Sequence, residues 1–190
     1  MKVIAFYGSP RINGNSEILL NEALKPIEAE GHEIISFKLN TMNIKPCQNC
    51  GGCDKTGKCI INDDMSEIYK AIREGDRFIL ASPIFFFALS AQSKIMLDRC
   101  QAFWSEKYLL KKVIPEGKYG RKGLLLLVGG MKRDIGIKCS ESTAKAFFRT
   151  ISVPTHETLG YLGVDAKGDI LEHPTALKEV YDGGKRLIEI

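Results

Sequence analysis

Apolar and polar positions recur along the chain in a regular order of short runs and spaced faces. Lys2–Tyr7 is a short apolar run ending at Gly8, the mark of a buried strand. From Ser16 to Glu30, the residues Ile18, Leu19, Ala23, Leu24 and Ile27 fall at helical spacing. Gly31 closes that helix, and Pro26 inside it is expected to kink or interrupt it. Glu33–Leu39 returns to a strand pattern, whereas Asn40–Asp64 has no clear period. Asp64 is expected to cap a helix running through Arg73, with Ile68, Ala71 and Ile72 apolar and Gly75 as its stop. Arg77–Ser82 reads as a strand stopped by Pro83, and Ser90 to about Phe103 as a helix. Lys122–Val128 is the most apolar run and ends in Gly129-Gly130. A helix over Glu141–Ile151, a weaker strand over Thr155–Leu162 and an amphipathic helix over Pro174–Ile188 follow.

Strands alternating with helices, and nearly continuous in apolar residues, predict an α/β fold with a parallel sheet covered on both faces. No repeat, linker or low-complexity stretch divides the chain, so residues 1–190 are expected to form one domain. In such sheets ligands collect at the carboxyl ends of the strands, where the strand order reverses. The loops to inspect are therefore 8–16, 83–90 and those from Gly129 onward, and the aperiodic segment 40–64 is expected on the same edge.

Composition narrows the picture. With 44% hydrophobic residues, the 190-residue chain can build a core and is not disordered. No apolar stretch nears the roughly 18 to 20 residues of a membrane span, and the start resembles no secretory signal, so a cytoplasmic protein is expected. Twenty-seven Lys and Arg against 23 Asp and Glu give +4, dispersed rather than blocked. That argues against nucleic acid or a membrane surface as partner. His32, His156 and His173 are scattered and read as surface or packing residues. No constellation of His, Ser or carboxylate suggests acid–base or acyl-transfer chemistry.

The first loop, Gly8-Ser9-Pro10-Arg11-Ile12-Asn13-Gly14-Asn15-Ser16, joins a strand to a helix. Ser9, Asn15 and Ser16 bring hydroxyl and amide groups, Gly8 and Gly14 tight turns, and Arg11 a charge-assisted donor. The helix start adds free N–H groups, and together these form an anion cradle. The loop is neither a Walker loop nor a GxGxxG fingerprint, and a phosphate monoester fits it best. The second loop, Pro83-Ile84-Phe85-Phe86-Phe87, carries three consecutive aromatics that cannot all face a core. They either lie against a planar ligand or partner, or plug the end of the core. Gly129-Gly130 permits close approach to a ring system. Phosphate at one loop and a flat heterocycle at the other two describe flavin mononucleotide. Downstream, Asp98 and Arg99 are adjacent on a helix and cannot face each other, so they are expected to bond to loop backbone or to another subunit.

Four of the six cysteines lie in the spacing Cys47-x2-Cys50-x2-Cys53-x5-Cys59, with Gly51, Gly52 and Gly57 between them and Lys45, Lys55 and Lys58 nearby. Without an export signal a disulfide framework is disfavoured. The compact spacing suits all-cysteine [4Fe–4S] ligation. Structural zinc, with its longer insert between two hooks, and a redox-active thiol loop are the alternatives. Cys100 and Cys139 read as buried small apolar residues.

These elements together resemble a known family. Gly-Ser-Pro-Arg-x-x-Gly-Asn-Ser, the four-cysteine motif, Asp63-Asp64-Met65, Ser-Pro-Ile-Phe-Phe and Lys-x3-Asp-Arg are similar to the iron–sulfur flavoproteins of anaerobic archaea and bacteria. These form a flavodoxin-like branch of the NADPH-dependent FMN reductase group. The resemblance covers most of the chain to about Gly130. It implies a doubly wound five-stranded sheet, one FMN and one [4Fe–4S] cluster. It also implies a homodimer or homotetramer and electron exchange with ferredoxin. Residue by residue, Ser9, Arg11, Asn15 and Ser16 match the phosphate loop, and Pro83, Ile84, Phe85 and Phe86 the isoalloxazine loop. Phe85 stands where relatives often carry Tyr, so that hydroxyl is missing here. Cys47, Cys50, Cys53 and Cys59 match the cluster ligands. The expected function is electron transfer between cluster and FMN, with a small acceptor such as oxygen, peroxide or a quinone. The alternatives are an NAD(P)H-dependent FMN or quinone reductase with a structural cysteine loop, and a zinc-knuckle interaction module.

Overall fold

A computed structural model describes residues 1–112, 114 and 117–190. Five strands form one parallel sheet: β1 (Lys2–Tyr7), β2 (Glu33–Lys38), β3 (Arg77–Phe85), β5 (Lys122–Gly129) and β6 (Thr155–Leu162), in the order β2-β1-β3-β5-β6. A two-residue strand, β4 (Ala88–Leu89), pairs antiparallel with the end of β3. The order reverses at β1, the topology of flavodoxin-like doubly wound folds, and a crevice opens beyond the carboxyl ends of β1 and β3.

Side-chain alternation along each strand divides the core in two. Val3, Ala5, Ile79, Ala81, Leu124 and Leu126 face helices α1 (Asn15–Ala29) and α6 (Ala176–Ile188), meeting Leu19, Ala23, Val180 and Leu187. Ile4, Phe6, Phe78, Leu80, Leu125 and Leu127 face α2 (Met65–Glu74), α3 (Ala91–Arg99), α4 (Gln101–Trp104) and α5 (Ile135–Thr150), meeting Ile68, Met96, Phe103 and Phe148. Burial on both faces is why the strand sequences read as continuous apolar runs. Among the described residues no helix is long and apolar enough to cross a membrane.

Several boundaries differ from those expected. The helix α1 runs unbroken through Pro26, which is buried beside Gly184 of α6. Tertiary packing of α1 on α6 outweighs the backbone bond lost at proline. Likewise, β3 continues through Pro83 to Phe85. The β1–β3 ladder ends at Tyr7↔Ala81, so Pro83, two residues on, lies where no β1 partner needs its missing N–H. The expected helix over Ser90–Phe103 breaks at Cys100 into α3 and α4 and continues as a π-helical turn over Ser105–Leu109. The helix expected from Glu141 begins six residues earlier, at Ile135. Finally, Asp64 precedes α2 but makes no side-chain cap; its carboxylate accepts from the Asn43 N–H at 2.7 Å.

Candidate functional site

The first loop closes around the start of α1. Ser9 Oγ accepts from the Arg11 N–H at 3.1 Å, and Asn13 takes a left-handed φ of 53° while its N–H donates to Glu17 Oε2 at 2.7 Å. Gly14 at the N-cap leaves α1 without a side-chain cap, so its first N–H groups stay open to an anion. Arg11 is exposed and its guanidinium donates to the Asp165 carbonyl at 3.3 Å. The Asn15 side chain is committed elsewhere. It donates to the Ala166 carbonyl and accepts from the Gly168 N–H, each at 2.8 Å, and so pins the segment after β6. What Asn15 offers a ligand is its backbone.

Ser9, Arg11, Gly14, Asn15, Ser16, Pro83, Ile84, Phe85, Gly129 and Gly130 all line one cleft of about 110 Å³, with Asp165 on its wall. The structure therefore gathers ten of the eleven residues expected around FMN. The eleventh, Phe86, lines an adjoining pocket of about 330 Å³ with Phe87, Met131, Arg133 and Gly136; the cleft and pocket share Ile84, Phe85 and Gly129. Gly136 is needed because α5 starts against β3: a Cβ there would stand 2.8 Å from Ile84 Cγ2.

The three aromatics form the tip of a hairpin. Phe85 pairs with Ala88, leaving Phe86 and Phe87 as a two-residue turn with φ of 48° and 63°. Both values are left-handed, as in a type I′ turn, where Asn-Gly is the favoured pair. The turn holds the Phe86 side out of the core altogether, at 102% exposure, with Phe85 and Phe87 each at 42%. The reading in which these rings plug the core is overturned. At the base, Ser90 caps α3 through Ser93 and donates to the Gly8 carbonyl, joining the hairpin to the first loop.

The cysteine loop leaves the carboxyl edge of β2 but carries its cysteines elsewhere. The chain crosses to α3, which starts at that edge and runs away from it. Cys47, Cys50, Cys53 and Cys59 line a cavity of about 310 Å³ walled by Arg99, Gln101, Ala102, Trp104 and Leu109. This cavity shares no lining residue with the cleft or its pocket, so the expectation that all the loops meet at one edge is corrected. All six cysteines are free thiols; Cys139 is exposed, contrary to a buried role, and Cys100 is buried. Among the described residues, no three His, Cys, Asp or Glu side chains converge as a single-ion site.

A fully buried ion pair holds the base of the loop. Arg99 Nη1 donates to Asp63 Oδ2 at 2.6 Å and to the Lys45 carbonyl at 2.7 Å. Its Nη2 donates to Asp63 Oδ1 at 3.1 Å and to the Ile61 carbonyl at 3.4 Å. One guanidinium thus binds the chain before Cys47 and after Cys59. Burial opposes ionisation of Asp63, but the Arg99 fork and the N–H groups of Lys45 and Met65 outweigh it and hold the carboxyl below its usual range. Arg99 answers the expectation of a bond to loop backbone, whereas Asp98 pairs with Lys94 at 2.7 Å. Asp63, Asp165, Arg133 and Gly136 were not singled out from sequence as site residues; only the Asp63-Asp64-Met65 string pointed toward one of them.

Comparison with known proteins fits this geometry. The family model for NADPH-dependent FMN reductase matches residues 1–158. An iron–sulfur flavoprotein of Methanocaldococcus jannaschii is 46% identical over 99 residues, 52% of this chain and 51% of that protein. Another from the same organism is 32% identical over 149 residues, 78% of this chain and 71% of that protein. The match spans 51%, 56% and 62% of the length of three such relatives. A solved NAD(P)H:quinone oxidoreductase from Methanothermobacter marburgensis shares the fold with a TM-score of 0.74 at 15% identity, covering 100% of this chain and 97% of that one. The chain belongs to the NADPH-dependent FMN reductase family and, within it, to the iron–sulfur flavoproteins.

Proposed function

We propose that residues 1–190 form one FMN-binding domain with a [4Fe–4S] loop at 40–64, and that the protein transfers electrons between the two cofactors. The observation that carries this reading is the gathering of all four cysteines of a compact motif around one cavity. Four thiols of one compact motif around one cavity suit all-cysteine ligation of such a cluster.

When bound, the cluster supplies one-electron steps and FMN links them to one- or two-electron steps. The chain's own residues hold and orient. Cys47, Cys50, Cys53 and Cys59 are the cluster ligands, and the Asp63–Arg99 pair fixes the ends of their loop. Ser9, Arg11 and the open N–H groups of Asn15 and Ser16 receive the FMN phosphate. Pro83–Phe86 and Gly129-Gly130 receive the ring and exclude water from one side. Because the two sites share no lining residue, electron exchange is assigned between chains of a homodimer or homotetramer. A ferredoxin-like donor and a small acceptor such as oxygen, peroxide or a quinone complete the path.

A second reading, an NAD(P)H-dependent FMN or quinone reductase with a structural cysteine loop, is favoured by the family description and the quinone oxidoreductase neighbour. Absorption spectra of anaerobically purified protein separate the two. Flavin bands over a broad iron–sulfur background that bleaches on reduction support the first reading. Flavin bands alone support the second.

A further inference from the structure

The pocket of about 330 Å³ beside the FMN cleft has an occupant of its own to account for. Its volume falls in the range of small-molecule sites, about 300–1,000 Å³. Ile84, Phe85, Phe86, Phe87, Met131 and Leu162 give it apolar walls. The three phenylalanines and Met131 are exposed, an apolar patch that a ligand can cover. Ile84 is clamped between Gly129 and Gly136, where added Cβ atoms would stand 3.2 Å from its Cβ and 2.8 Å from its Cγ2. The base of the pocket is therefore preformed.

Among the described residues, Arg133 is the one charged residue on its lining. It is exposed, and among the described residues no side chain pairs with it. Lys132 beside it is a second exposed cation, while the neighbouring Asp134 is paired with Lys138 at 2.7 Å. Asp165 lines the cleft and not the pocket. These charges make the local field positive.

We propose that this pocket binds a flat, apolar ring compound carrying a negative charge, the acceptor of the electrons, with Arg133 selecting the charge. The proposal rests on the FMN reading above: Ile84, Phe85 and Gly129 line both pocket and cleft, so a ligand here adjoins whatever fills the cleft. Aromatic walls suit a planar ring, and a guanidinium, charged at every working pH, suits an anionic substituent. A quinone-type ring in this place gains two electrons and two protons, those that reduced FMN gives up.

The test titrates the oxidised, FMN-loaded full chain with anthraquinone sulfonate and with uncharged hydroxymethyl anthraquinone, read by calorimetry. Both probes are expected to bind. In Arg133→Gln the sulfonate is expected to bind about two- to fivefold more weakly, the scale of one partly screened charge pair. The uncharged probe and the FMN content should not change. Equal effects on the two probes, or none on the sulfonate, overturn the proposal and leave the FMN reading standing. Probes that bind only after FMN is removed show the pocket to be the flavin's own and overturn it too. Failure of both probes to bind, with an oligomer that dissociates in Phe86→Ser, gives the pocket to a second copy of the chain and overturns it as well. A chain that takes up no FMN overturns the FMN reading and the acceptor role together, whereas the same titration still decides whether the pocket binds.

Discussion

Replacing Phe86 by asparagine separates what the hairpin costs from what it does. Phe86 and Phe87 hold left-handed φ values of 48° and 63°, a conformation that costs an ordinary L-residue about 1–2 kcal/mol. Asparagine tolerates it, because its short amide bonds locally. Phe86 is fully exposed at 102%, so the substitution gives up almost no buried apolar surface. The Phe86→Asn protein is therefore expected to gain about 1 kcal/mol, a rise in Tm of roughly 2–4 °C for a chain of this size. Calorimetry must compare both proteins freed of cofactors, because any bound ligand adds its own stability. In the same protein FMN should bind roughly two- to tenfold more weakly, the scale of one lost aromatic contact of about 0.5–1.5 kcal/mol. Strain kept at a ligand-facing turn is the pattern expected of a functional loop. A Tm that falls or stays unchanged refutes the strain argument. Unchanged FMN affinity removes Phe86 from the ring site.

Other expectations follow from the same geometry. Asp63→Asn leaves Arg99 charged and buried without its partner, and should cost about 3–5 kcal/mol in urea unfolding. Because the folded-state pKa of Asp63 is depressed, its contribution is complete above about pH 4 and is lost as pH falls through the lower folded value. The acid side of a stability–pH profile should therefore be shallower in Asp63→Asn than in the parent. Arg11→Ala is expected to weaken FMN by about 1.5–3 kcal/mol, the scale of a hydrogen bond to a charged group; fluorescence titration reads it. Cys50→Ala should lose iron and keep FMN, since the cysteine cavity and the cleft share no residue; loss of both from a folded protein contradicts separate sites.

The strands were legible because both faces of the sheet are covered, which turns β1, β3 and β5 into unbroken apolar runs. The cysteine motif and first loop were legible because their chemistry depends on local spacing. What the sequence hid depends on partners distant in the chain. Pro26 and Pro83 carry the usual stop signal, yet each sits where packing on α6 or the end of a ladder makes it harmless. The hairpin lacks any Asn-Gly signal, since Phe-Phe fills its turn. The first turns of α5, Ile135-Gly136-Ile137-Lys138-Cys139, carry a glycine and follow the polar run Lys132-Arg133-Asp134, so no clear apolar period marks the start. The Asp63–Arg99 pair joins residues 36 apart, and neither residue type announces burial. It is also what carries the cysteine loop off the sheet edge, so the separation of the two sites was out of reach of local patterns.

Anaerobically isolated protein, analysed for iron, acid-labile sulfide, zinc and flavin with Mössbauer spectra of an 57Fe-enriched sample, tests the two-cofactor claim most directly. About four iron and four sulfide per chain, in the signature of a cuboidal cluster, together with FMN and negligible zinc, are the predicted result. Stoichiometric zinc at the cysteines, or a chain that takes up neither iron nor sulfide even on reconstitution, contradicts it.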